Sequence, residues 1–120
     1  MKKATWKKRI TEACRSAGTY KPFFDHVIDT LAGIMEQRDA AKRLFEDSGG
    51  RTVVLHTNKG GGTNIVKNPA LVIVMELDTQ ALAYWRDLGL TPAGLKKIDE
   101  AAMKGKKRSA LADALRDLGG

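Results

Sequence analysis

The pattern of apolar and polar positions predicts one helix above all, in the second half of the chain. Apolar residues recur there at steps of three and four, along two neighbouring stripes. Asn68 can cap the first turn, Pro69 fits the first helical position, and Gly89 supplies a left-handed residue past the end. We therefore predict a helix over residues 69–88 with two apolar faces, which a single partner surface cannot cover.

The same periodicity predicts further helices on both sides of this element. Residues 1–18 form a basic amphipathic helix, and Thr91 with Pro92 begins a helix over residues 92–103. A helix over residues 22–47 would be roughly 39 Å long at the standard rise. That length is large for a chain of 120 residues. We expect this helix to pack against another copy or a long partner helix.

The segment 51–67 carries the β signal of the sequence, within residues 52–66. β-branched residues precede three consecutive glycines, so the segment forms either a short irregular hairpin or a strand with an extended return. Lys59 precedes the glycines, whereas a nucleotide-binding loop needs its lysine after the last glycine, and we exclude such a site. The loop is either mobile or places its N–H groups and Lys59 against a phosphate backbone.

Together these elements predict a mainly α, helical fold in three parts that forms an oligomeric assembly. The basic helix over residues 1–18 precedes a helical core over residues 19–98. A basic tail with a short helix follows over residues 99–120. The sequence contains no apolar stretch of the about 20 residues that cross a bilayer, and the N-terminus is charged. We expect a cytoplasmic protein with no membrane partner.

Positive charge is concentrated at the two ends of the chain. Residues 1–15 carry a net charge of +5, residues 16–95 carry −1 and residues 96–120 carry +3, which sum to the total of +7. Basic ends are typical of proteins that bind nucleic acid, although solubilising tails have the same composition. The basic residues expected to contact double-stranded DNA are Lys2, Lys3, Lys7, Lys8, Arg9, Lys59, Lys104, Lys106, Lys107 and Arg108.

Few residues in the sequence could support catalysis or hold a cofactor. The chain has two histidines and one cysteine, and no nucleophile with a base or cluster of metal ligands can be assembled from it. Cys14 lies on the apolar stripe of the first helix, where we expect a small buried hydrophobe. We predict no catalytic, cofactor or metal site, which leaves binding and assembly as the functions open to this chain.

Five segments of the chain resemble one short type of phage terminase small subunit. They lie at residues 20–32, 36–39, 57–64, 67–69 and 83–98, within a span of about two-thirds of the sequence. The Leu-Gly-Leu-Thr-Pro stretch in the last segment is the most specific of these motifs, whereas the glycine-rich loop alone would be weak. The basic stretches outside this span match no motif, so their predicted roles depend on charge alone.

The resemblance implies a role in packaging viral DNA. Terminase small subunits assemble into rings, recognise viral DNA and deliver it to the large terminase subunit, which carries the ATPase and nuclease. They are not enzymes and need no cofactor, and their place of action would be the bacterial cytoplasm. A ring would also cover the second face of helix 69–88 and the length of helix 22–47. The residues expected at the oligomer interface are Ile28, Leu31, Met35, Leu71, Met75, Leu82 and Trp85.

Two other functions remain open from the sequence. A small transcriptional regulator could use residues 85–98 as a helix-turn-helix, with Lys96 and Lys97 determining its sequence preference. It would form a dimer on a palindromic site. A scaffold protein would bind no DNA at all.

Overall fold

The computed structural model describes residues 1–119, which fold into helices and one two-stranded antiparallel sheet. The predicted mainly α fold with a short β-hairpin around residues 52–66 is confirmed, and the hairpin spans residues 53–67. Gly120, the last residue of the predicted 99–120 tail, lies outside the described residues. The elements are α1 (Lys3–Ala17), a 3₁₀ turn (Pro22–Phe24), α2 (Asp25–Asp47), β1 (Val53–Thr57), β2 (Thr63–Lys67), α3 (Pro69–Asp87) and α4 (Pro92–Gly119).

Helix α2 is the central element of the fold, since both α1 and α3 pack against it. The apolar stripes of the three helices meet in one core, so much of the long α2 is covered by its own chain. This burial supplies the main stabilising free energy of the fold. The buried side chains of the core are Ile10, Cys14, Ile28, Leu31, Ala32, Met35, Ala81 and Leu88.

Three residues that we predicted at an oligomer interface belong to this core. Ile28 and Leu31 are 0% exposed in the single chain, and Met35 is 8% exposed. They lie in the cluster that α2 shares with α1 and α3, so a second copy cannot contact them unless the fold opens. Periodicity shows that a helix face is apolar, but it does not show whether the same chain or another one covers that face.

Hydrogen bonds involving side chains in the middle of α2 link this helix to both α1 and α3. We call this set of contacts, made by Glu36, Arg38 and Asp39, the polar crossing. The backbone N–H of Lys3 donates to Glu36 Oε2 over 2.6 Å, and Trp6 Nε1 donates to Asp39 Oδ2 over 2.7 Å. These carboxylates of α2 lie at the N-terminus of α1, where unpaired N–H groups favour negative charge. Towards α3, Arg38 Nε of α2 donates to Asp78 Oδ1 over 2.8 Å. The polar segment 36–39 of α2 therefore contacts both neighbouring helices.

The turn between α3 and α4 depends on two glycines. Gly89 has a φ of +71°, and the N–H of Leu90 donates to the Trp85 carbonyl over 2.8 Å, which closes the end of α3. Thr91 Oγ1 then accepts the N–H of Gly94 over 3.1 Å and caps α4. A Cβ at Gly94 would collide with the carbonyl oxygen of Arg86. This close approach of the two helices requires a residue without a side chain.

Helix α4 differs from the prediction, because it continues without a break from Pro92 to Gly119. We predicted a helix over residues 92–103, a basic break and a separate short helix. Gly105 is the one weak helix former in the supposed break, and a glycine costs a helix interior only about 1 kcal/mol relative to alanine. Alanine, methionine, lysine and arginine around it favour helix, so the break does not form.

The β-hairpin and the distal part of α4 extend from the helical body as two arms. The chain measures 86 × 27 × 20 Å along its principal axes, which is elongated for its size. In the hairpin Leu55 pairs with Ile65, and both side chains are 72% exposed. Residues 99–118 of α4 are exposed throughout. Both arms therefore present surface that the body does not cover.

Candidate nucleic-acid interface

The basic side chains of α1 fall into two groups. Lys3 Nζ lies 3.0 Å from Asp29 Oδ2 and Lys7 Nζ lies 3.6 Å from Asp29 Oδ1, so both cations are paired with α2. The hydrogen bond from Lys3, with the charges of Lys3 and Lys7, lowers the pKa of Asp29 although partial desolvation opposes the shift. Within the part of the chain that the structure describes, the exposed cations of α1 without an ion pair are Lys8, Arg9 and Arg15, and Lys2 just before the helix is also unpaired. Arg15 lies over the ring of Tyr20.

The glycine-rich tip of the hairpin is a closed turn. Asn58 Oδ1 accepts the N–H groups of Gly60 over 3.1 Å and Gly62 over 3.0 Å, and the Asn58 carbonyl accepts the N–H of Gly61 over 3.1 Å. Because these three donors are used within the turn, they are not free to bind a phosphate. Of the two alternatives left open for this loop, the structure does not favour the one in which its N–H groups contact a phosphate backbone. Lys59 remains exposed at the tip and is the group there that can contact a phosphate.

The basic cluster near the C-terminus lies on α4, in full contact with solvent. The exposed side chains of this cluster are Lys104, Lys106, Lys107 and Arg108. Since α4 is one helix, Lys96 and Lys97 belong to the same element as this cluster. From the sequence we expected Lys96 and Lys97 to act only in a helix-turn-helix, because a predicted break after residue 103 separated them from the basic cluster. A helix predicted to continue through Gly105 would have placed Lys96 and Lys97 on the same element as the basic cluster.

The remaining predicted interface residues lie on α3. Leu71 and Trp85 are half-buried, whereas Met75 is 60% exposed and Leu82 is 49% exposed. Met75 and Leu82 are seven residues apart and therefore share one side of α3. This side is an apolar surface beside the stripe that packs on α2.

The hairpin carries an exposed apolar surface that we did not predict from the sequence. Val53, Leu55 and Ile65 lie on one face, because cross-strand partners in an antiparallel pair point to the same side. Val53 is 48% exposed, less than its two neighbours. The alternation of these residues along the two strands was the signal that could have identified the face.

The described residues offer little to reactive chemistry. Cys14 is fully buried as predicted, and burial raises the pKa of its thiol more than a hydrogen bond with Thr19 lowers it. Among residues 1–119, no three His, Cys, Asp or Glu side chains form a group that could hold a metal ion. In the same residues, no helix combines the length and apolar character required to cross a bilayer.

The geometry therefore consists of a helical body, exposed cations on three elements and apolar surfaces on α3 and the hairpin. Comparison with protein families adds the observation that decides the family. The model of the family described as phage terminase, small subunit, matches residues 3–105. The chain belongs to this family.

The terminase match extends the resemblance found in the sequence. That resemblance covered residues 20–98, whereas the family match also includes α1 and the proximal part of α4. The basic helix α1 is thus part of the family pattern and not an unrelated extension. No curated protein and no solved structure matches the chain. Family membership associates this terminase small subunit with phage packaging.

Proposed function

We propose that this terminase small subunit is an oligomeric DNA-binding adaptor. It recognises viral DNA and delivers it to the large terminase subunit for genome packaging in the bacterial cytoplasm, without catalysing a reaction itself. The observation that carries the proposal is the family match over residues 3–105. The distribution of charge and the exposed apolar surfaces support it independently.

The DNA-binding part of the proposal is supported by cations that the fold leaves free. Each phosphate contact releases condensed counterions, so exposed lysines and arginines favour DNA binding at low salt. Lys3 and Lys7 contribute less in our proposal, because Asp29 already neutralises part of their charge. The proposed DNA contacts are Lys2, Lys8, Arg9, Lys59, Lys104, Lys106, Lys107 and Arg108.

Oligomerisation is supported by apolar surface that the single chain leaves in water. A two-stranded hairpin is marginally stable alone, and this one presents Leu55 and Ile65 at 72% exposure. On α3, Met75 and Leu82 are also exposed, and the half-buried Leu71 and Trp85 lie beside them, with Trp85 also packed against the core. A contact between the hairpin face of one copy and the α3 surface of the next is a head-to-tail contact, which forms a ring when the rotation between copies closes. We propose these α3 residues and the hairpin face as the oligomer interface.

Native mass spectrometry of the full chain, with and without a DNA duplex, tests the adaptor function. We expect a closed oligomer at micromolar concentration and duplex binding that weakens steeply as salt is added. A monomer at all concentrations would contradict the assembly, and absence of duplex binding at low salt would contradict the adaptor function.

A matched pair of variants then tests the interface. Met75→Glu should dissociate the oligomer, because it places a charge in the proposed contact. Met103→Glu changes a side chain of α4 with similar exposure, 55% against 60% for Met75, and should leave the number of subunits in the oligomer unchanged. Equal masses for the two variants would exclude Met75 from the interface.

A further inference from the structure

The continuity of α4 aligns five cations on one side of the helix. Lys97, Lys104 and Arg108 follow at steps of seven and four, and Lys96 and Lys107 run beside them, eleven residues apart. At 3.6 residues per turn these side chains fall within a sector of about 120° and extend over roughly 18 Å. We call this set, residues 96, 97, 104, 107 and 108, the α4 basic face.

The charges of the α4 basic face are available to a ligand. All five side chains are exposed, and none forms an ion pair within residues 1–119. Glu100 is the one acidic residue within the sector between residues 96 and 108, and Asp99 lies about 60° outside it. Lys106 lies on the opposite side of the helix by the same spacing. The face thus has an excess of positive charge, in contrast to Lys3 and Lys7 of α1.

We propose that the α4 basic face is a binding site for the phosphate backbone of double-stranded DNA. The inference rests on the proposed DNA-binding function and adds Lys96, Lys97 and a fixed helical geometry to it. A helix of 10–12 Å diameter fits the major groove, which is about 12 Å wide, and its flanking cations then reach phosphates. The described part of α4 contains no Asn or Gln, the side chains that pair with adenine. The contacts proposed for this face are those of its lysines and arginine with phosphates.

The geometry of this site depends on the helix remaining intact. Beyond residue 98 the side chains of α4 are exposed and the body gives them no support. The two groups of cations, at 96–97 and at 104–108, share a face only if the helix continues through Gly105. Helical phase should therefore affect the affinity for DNA at constant charge.

A charge comparison provides the first test, with a fluorescent 30-base-pair duplex titrated at several salt concentrations. The triple variant Lys97→Gln, Lys104→Gln and Arg108→Gln should lower the salt slope by about 2 to 3 and the affinity by about tenfold or more. The matched control removes three exposed cations of the body, with Lys21→Gln, Lys42→Gln and Arg43→Gln. It should retain nearly the wild-type slope.

A phase comparison separates geometry from total charge. Two alanines inserted after Ala102 rotate the distal cations by about 200° relative to Lys96 and Lys97, whereas seven alanines restore the phase to within about 20°. Alanine favours helix, and circular dichroism verifies that α4 remains helical in both variants. We expect weaker duplex binding with two alanines than with seven.

The outcomes distinguish this site from DNA binding in general. If the wild-type chain binds duplex but the charge and phase variants bind equally well, the α4 basic face is not the site. An acidic protein surface would then be its better ligand. If the wild-type chain does not bind duplex at low salt, the proposed function itself fails.

Discussion

The helical body and the two arms differ in what stabilises them. In the body, α1, α2 and α3 share an apolar core and a polar crossing, so the faces by which these helices meet are buried or paired within one chain. The arms, namely the hairpin and the distal part of α4, expose large apolar side chains and unpaired cations. Gly94 and Gly105 show the contrast within a single helix, α4. Gly94 has no room for a Cβ, whereas nothing lies within 4 Å of one at Gly105.

This contrast separates stability from function. Substitutions in the buried core of the body should destabilise the chain and so affect every activity indirectly, whereas the exposed side chains of α1 and α3 should behave like those of the arms. Substitutions in the arms should leave the fold intact and change assembly or DNA binding. The two kinds of effect can be measured separately by unfolding and by binding.

The largest effect is expected from a core truncation. Leu31→Ala removes a side chain that is fully buried between three helices, which should lower the free energy of unfolding by about 2–5 kcal/mol. Leu115→Ala is the matched control in an arm, where the side chain is 59% exposed. It should change that free energy by less than about 0.5 kcal/mol. Urea denaturation measures both, and equal losses would contradict the division into body and arms.

Replacing Gly94 or Gly105 of α4 with alanine should change the stability of the chain in opposite directions. Gly94→Ala forces the turn between α3 and α4 to shift and should destabilise the chain by about 1–3 kcal/mol. Gly105→Ala meets no atom and should stabilise the helix by about 0.5–1 kcal/mol, because alanine restricts the unfolded chain. Thermal unfolding followed by circular dichroism gives both signs. Loss of stability in the second variant would show that α4 is not a free helix at this point.

A smaller effect is expected from the pH dependence of the polar crossing. Burial raises the pKa of Asp39, but hydrogen bonds from Trp6 and the terminal amine, with the charges of that amine and Arg38, lower it overall. The folded chain therefore binds fewer protons at Asp39 than the unfolded chain does. The stabilisation is complete above the ordinary value of 3.8 and is lost as the pH falls through the lower folded pKa.

Removal of the carboxylate tests this assignment. Asp39→Asn should destabilise the chain near neutral pH, and its difference from wild type should shrink as the pH falls below about 4. Asp113→Asn changes an exposed carboxylate of α4 that pairs with Arg116, and its effect should be near zero at every pH. Urea titrations at several pH values supply the measurement. A constant difference for Asp39→Asn would exclude a contribution from its titration.

Local signals in the sequence correctly predicted where helices α3 and α4 begin and where α3 ends. Asn68 caps α3 through a hydrogen bond from the N–H of Ala70, and Pro69, Gly89 and Thr91 occupy the positions predicted for them. These features depend on neighbouring residues and backbone chemistry, which one sequence contains in full. The family resemblance also came from local motifs and agrees with the match to the terminase small-subunit model.

Features that depend on distant residues could not be predicted in the same way. Leu31 was assigned to an interface because an apolar stripe carries no information about which chain covers it. The use of Glu36 at the start of α1 joins residues 33 positions apart, which no local pattern reveals. The continuity of α4 through Gly105 depended on a balance of small helix propensities, which the sequence analysis resolved in favour of a break.

Hydrogen–deuterium exchange of the full chain, with and without a duplex, tests most directly whether the arms are the functional surfaces. In the free protein, the central part of α2 should exchange slowly and the distal part of α4 quickly. Duplex should add protection in α4 around residues 96–108, with little change in the core of α2. Duplex binding that leaves the exchange of α4 unchanged would contradict the account.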